Sequence, residues 1–68
     1  MNIVLNGESV SLASGATVAE VVATTGREAT GRGIAVAING EVVPRGEWSL
    51  RTVNEADKVE VLAAIGGG

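Results

Sequence analysis

Apolar positions along the chain switch between a period of two and a helical period, and the switches mark the elements. Ile3 and Leu5 alternate with polar or outward positions, as do Val10 and Leu12. Asn6-Gly7 between these pairs is a strong signal for a two-residue hairpin turn. Ser14-Gly15 breaks the strand pattern. Val18, Val21 and Val22 then recur at i, i+3 and i+4, the stripe of an amphipathic helix about two turns long. Thr17 followed by Glu20 predicts a capping box at its start, with each side chain serving the other's backbone N–H. Gly26 is the expected stop. Valine is a middling helix former, so tertiary packing has to hold this helix.

Arg27 to Gly33 is polar and reads as a loop. Ile34, Val36 and Ile38 alternate with Ala35 and Ala37, which predicts a half-buried strand. A second Asn-Gly pair, Asn39-Gly40, turns it into Val42-Val43. Pro44 ends that strand because it has no N–H to give to a ladder. Arg45 to Leu50 is expected to form an irregular turn or short helix, with Trp48 over an edge of the core. Asn54 to Asp57 is a turn. Lys58 to Leu62 is the last strand, with Val59 and Val61 on one side and Lys58, Glu60 and Leu62 on the other. The order strand, strand, helix, strand, strand, strand favours an α+β domain with one helix on one face of a mixed sheet.

Composition narrows the function more than it narrows the fold. The 68 residues make one domain near the lower size limit for an unstapled core. Apolar residues make up 46%, nearly all aliphatic, and Trp48 is the only aromatic, so the body of the chain should fold. Cys and His are both absent, which removes disulfides, thiolate or imidazole metal sites and a His-based nucleophilic triad. A reducing compartment is consistent with the missing cysteines. The net charge of −3 and five scattered basic residues give no phosphate-binding footprint, so no nucleic acid is expected. The longest apolar runs, Ile34 to Ile38 and Val61 to Ile65, are too short to span a membrane. No signal peptide is visible at the start, and the expected location is the cytoplasm.

Several local features carry a plain reading and a functional one. Asp57 and Glu60 could bind a cation, but a solvated face is the simpler account. Gly31-x-Gly33 precedes a strand and not a helix, which excludes a dinucleotide loop. Trp48 is a possible contact anchor and, as the lone aromatic, the better candidate for a core cover. Strand parity puts Leu62 and Val4 opposite the core side, with Ala35 and Ala37 on the matching side of their own strand. Together Val4, Ala35, Ala37 and Leu62 form a candidate partner-docking patch. Singly exposed aliphatics are the alternative.

The end of the chain, Ala63-Ala64-Ile65-Gly66-Gly67-Gly68, offers no core and no side-chain chemistry. By themselves, terminal glycines read as readily as a frayed end. A carboxylate on an arm without side chains can also thread a channel too narrow for any Cβ and reach a distant active site.

The run Ala37-Ile38-Asn39-Gly40-Glu41-Val42-Val43-Pro44-Arg45, then Trp48, then Gly67-Gly68, resembles the thiamine-biosynthesis sulfur carriers, the ThiS family. The similarity extends over essentially the whole chain. It implies a ubiquitin-like β-grasp fold over residues 1–65 and a flexible glycine tail over 66–68. It further implies that an E1-like adenylating enzyme uses ATP to activate the carboxylate of Gly68, with Gly66 and Gly67 giving access to that enzyme. Sulfur from a donor system such as a cysteine desulfurase then makes a thiocarboxylate, which thiazole synthase consumes. On this reading the chain is a carrier and not an enzyme, binds no metal or cofactor itself and is a monomer when free. Carriers for molybdopterin or another sulfurated product, and a β-grasp interaction module without chemistry, are the alternatives. Two positions depart from the family pattern: Gly66 is a third glycine where another small residue is common, and Ala56 stands where glycine is frequent. If that turn needs φ > 0, alanine costs about 1 kcal/mol there.

Overall fold

The computed structural model describes residues 1–26 and 33–63. The loop expected from Arg27 and the tail residues Gly66, Gly67 and Gly68, with the boundary before them, fall outside that set. The elements are β1 (Asn2–Leu5), β2 (Glu8–Ser11), α1 (Val18–Thr24), β3 (Ile34–Ile38), β4 (Glu41–Val42) and β5 (Lys58–Ala63), with a 3₁₀ turn at Arg45–Glu47. The five strands form one mixed sheet in the order β2-β1-β5-β3-β4. β5 runs parallel to β1 and antiparallel to β3, so the first and last strands are neighbours at the centre of the sheet.

Both Asn-Gly pairs make the turns their sequence predicts. Asn6 and Gly7 have φ of 49° and 84°, and Asn39 and Gly40 have 51° and 84°. Two successive positive φ angles match the twist of the flanking strands, which is why this dipeptide closes tight hairpins. Their registers follow: Leu5 pairs with Glu8, and Ile38 with Glu41.

Only half of the expected capping box forms. Thr17 Oγ1 accepts from the Glu20 N–H at 3.3 Å, as an N-cap should. The Glu20 carboxylate, however, takes the Thr17 hydroxyl at 3.4 Å and not its backbone N–H. Thr17 is drawn into an antiparallel bridge with Thr52, and the helix start is tied down by the segment after the 3₁₀ turn. The Val18 N–H donates to the Arg51 carbonyl at 2.8 Å, and the Ala19 N–H to the Trp48 carbonyl at 3.0 Å. Tertiary carbonyls thus satisfy donors that have no partner within the helix. At the other end Gly26, with φ of 82°, gives its N–H to the Ala23 carbonyl and stops the helix.

Val18, Val21 and Val22 are fully buried against Ile3, Val36, Ile38, Val59 and Val61. Burying a valine contributes about 1.5–3 kcal/mol, enough for packing to hold a seven-residue helix that its propensity would not. Trp48 is 2% exposed and closes the edge of this core. Its indole N–H donates to the Val43 carbonyl at 2.9 Å, so the ring is buried without a stranded donor. Trp48 is therefore a core cover and not a contact anchor.

Ala56 does adopt a left-handed conformation, with φ of 67°. Its turn is closed by the Asp57 N–H donating to the Asn54 carbonyl at 3.1 Å, and its own N–H donates to the Asn2 carbonyl at 2.8 Å. The strain expected of alanine at this position is present and is held by those bonds.

Candidate functional site

β5 is the strand that leads toward the chain's end, and two asparagines grip it from opposite sides. Beside β3, the Asn39 N–H donates to the Lys58 carbonyl at 2.7 Å, and its Oδ1 accepts from the Lys58 N–H at 3.0 Å. Asn39 Nδ2 also donates to Asp57 Oδ1 at 3.1 Å, while Asp57 Oδ2 accepts from the Asn54 N–H at 2.8 Å. Both Asp57 oxygens are thus engaged in holding the turn, a use that the expected solvated face did not include. Beside β1, Asn6 takes hold of Val61 through both ends of its carboxamide.

The face of β5 away from α1 carries Lys58, Glu60 and Leu62, all exposed, with Leu62 at 58%. Sheet register shows how the candidate patch is laid out. Ala35 stands directly opposite Leu62, Ala37 opposite Glu60, and Val4 opposite Lys58. The four residues therefore share the open face, as alternation predicts. They do not form one unbroken apolar surface. Val4 and Leu62 line an open depression of about 590 Å³ together with Asn6, Gly7, Lys58 and Glu60. Ala35 and Ala37 lie across β5, outside it. Two charged side chains separate the apolar ones, which suits a contact that is oriented as well as adhesive.

Sequence reasoning overlooked Val42, which is 71% exposed and pairs with Ala37 on this same face. Parity across the Asn39-Gly40 turn held that signal. It also overlooked the second use of the two turn asparagines, since nothing local tells that a turn side chain will bond a strand 55 residues away. Leu50, at 81%, is the most exposed large apolar residue described, and none of the candidate patch residues pairs with it.

A family model described as the ThiS family matches residues 3–68. The chain belongs to the ThiS family. Its relatives include the sulfur carrier protein ThiS of Escherichia coli, 32% identical over 68 residues that make up all of both chains. A thiazole synthase of Paramagnetospirillum magneticum is 37% identical over the same length, and there the chain spans only 20% of the longer protein. The crystal structure of a thiamine biosynthesis protein (ThiS) from Geobacter metallireducens superposes with a TM-score of 0.81 at 33% identity, each chain covered in full. A solution structure of a thiamine biosynthesis protein from that organism gives 0.78, covering all of this chain and 88% of the other. The fold is accordingly the ubiquitin-like β-grasp of ThiS, one helix on a five-stranded mixed sheet. Among the described residues, no helix is long and apolar enough to cross a membrane.

Proposed function

We infer that this chain is the sulfur carrier of thiamine biosynthesis and that the carboxylate of Gly68 is its reactive group. The observation that carries the reading is the extent of the family match, which continues through the three glycines to Gly68 itself. An E1-like enzyme uses ATP to convert the carboxylate to an acyl-adenylate with release of pyrophosphate. A donor system such as a cysteine desulfurase supplies a persulfide, whose outer sulfur displaces AMP to give an acyl disulfide. A thiol of that system then reduces the S–S bond, forming a disulfide and releasing the thiocarboxylate. Thiazole synthase then takes that sulfur. The occurrence of a similar segment inside a protein named thiazole synthase supports this choice of partner over a molybdopterin route.

Within this scheme the folded body recognises and the terminus reacts. Gly66 and Gly67 let the carboxylate pass where a Cβ would not. Leu62 and Val4, with Ala35 and Ala37 beside them, form the docking face for the activating enzyme and the synthase, and Lys58 and Glu60 orient it. Apart from the Gly68 carboxylate, whose oxygen attacks the α-phosphate of ATP, the scheme asks no acid, base or nucleophile of the chain, so it acts as co-substrate of its partners.

Mass spectrometry of the intact chain tests the reading. Incubation with the adenylating enzyme, ATP and a sulfur donor should raise the mass by the difference between sulfur and oxygen. A chain whose terminus is blocked as the amide should show no change. If the blocked chain still supports thiazole formation at the normal rate, the proposal is wrong.

A further inference from the structure

β5 is supported unequally along its two edges. On the β3 side the ladder continues to the end of the strand, where Ile34 pairs with Ala63. On the β1 side it stops after two rungs, Val4 with Lys58 and Leu5 with Val59, because the chain turns away at Asn6-Gly7. The next backbone groups on that edge, the N–H and C=O of Val61, would be left to solvent. Asn6 meets both: the Val61 N–H donates to Oδ1 at 2.8 Å, and Nδ2 donates to the Val61 carbonyl at 3.1 Å. A carboxamide carries the same donor and acceptor as a peptide unit, so the side chain acts as one further rung of the parallel ladder.

The position of that rung gives it a use beyond stability. Val61 directly precedes Leu62 of the open face and lies in the strand that runs toward Gly68. The geometry points to Asn6 as a positioning residue for the C-terminal carboxylate: by fixing Val61 on its free edge, it sets the direction in which the chain leaves the sheet. This rests on the reading of Gly68 as the reactive group. Without the rung, the β3 ladder alone holds the end of β5, and fraying on the free edge must be reversed each time the terminus enters an active site. That ordering cost belongs to binding and not to the chemical step.

Asn6→Gly removes the carboxamide and keeps the turn, since Gly-Gly also accepts two positive φ angles. Asn39→Gly makes the same change in the other hairpin, removing a comparable grip at the opposite end of β5. Pyrophosphate exchange by the E1-like adenylating enzyme is measured with each full chain at a temperature where circular dichroism shows both folded. For Asn6→Gly the KM for the carrier should rise about fivefold to tenfold with kcat within about twofold, the signature of a lost ordering contribution. Exchange of the Val61 amide hydrogen should accelerate while that of Val36 stays protected. Asn39→Gly should leave KM at the wild-type value. An unchanged KM in Asn6→Gly, or an equal rise in Asn39→Gly, overturns the proposal. The chain blocked as the amide at Gly68 is the separate control: exchange that survives the block refutes the reading of the terminus, whatever Asn6 does.

Discussion

Along β5, Val59 and Val61 are closed off beneath the helix at 1% and 4% exposure, whereas Leu62 on the alternate face is 58% exposed and has charged neighbours at Lys58 and Glu60. One strand thus carries two separate texts, one read by the core and the other left open to solvent. Their separation comes from the period of two, which sends neighbouring side chains to opposite sides. Stability and recognition can then change independently, residue by residue.

The hardest test of that independence lies on the core side. Trp48→Ala should cost about 3–5 kcal/mol, from lost packing and a freed Val43 carbonyl, and should leave this small domain largely unfolded. Circular dichroism in urea would show it, and a well-folded variant would mean that the core is not closed at this edge. The open side should respond in the opposite way. Leu62→Glu is expected to shift stability by no more than about 0.5 kcal/mol. It should weaken association with the adenylating enzyme about tenfold, as loss of a central apolar contact does. Unaltered adenylation kinetics in that variant would remove the docking face from the account.

Two smaller changes sharpen the division because they touch neither face. Thr17→Ala removes the N-cap acceptor and should lower the stability measured by urea unfolding by about 1 kcal/mol. It should leave the activation rate of the folded protein where it was. Ala56→Gly should stabilise by about 0.5–1 kcal/mol, since relief of a left-handed alanine outweighs the added freedom of the unfolded glycine. A loss of stability in that variant would show that the Asn54 to Asp57 turn carries no strain.

The strands, both hairpins and the helix stripe were legible because each rests on local periodicity or on a dipeptide with a single favoured turn. Val18, Val21 and Val22 announce their burial by spacing alone. The open face was legible from parity, apart from Val42. The failures share one cause, contact between residues far apart in sequence. The Thr17-Glu20 spacing foretells a reciprocal box, yet Thr17 meets Thr52 and the box is left half made. Asn6 and Asn39 announce turns, while their bonds to Val61 and Lys58 depend on how the sheet closes. The placement of Val53, buried at 2% with its N–H on the Ala16 carbonyl, belongs to the same group.

The parallel pairing of β1 with β5 has a consequence for the making of the protein. The central seam of the sheet joins the first strand to the last, so a growing polypeptide on the ribosome cannot complete it early. A product cut short before Val59 lacks the middle strand, and with it the edges on which both β1 and β3 pair. Closure of the sheet, and of the core beneath it, is thereby deferred until its central strand has been made.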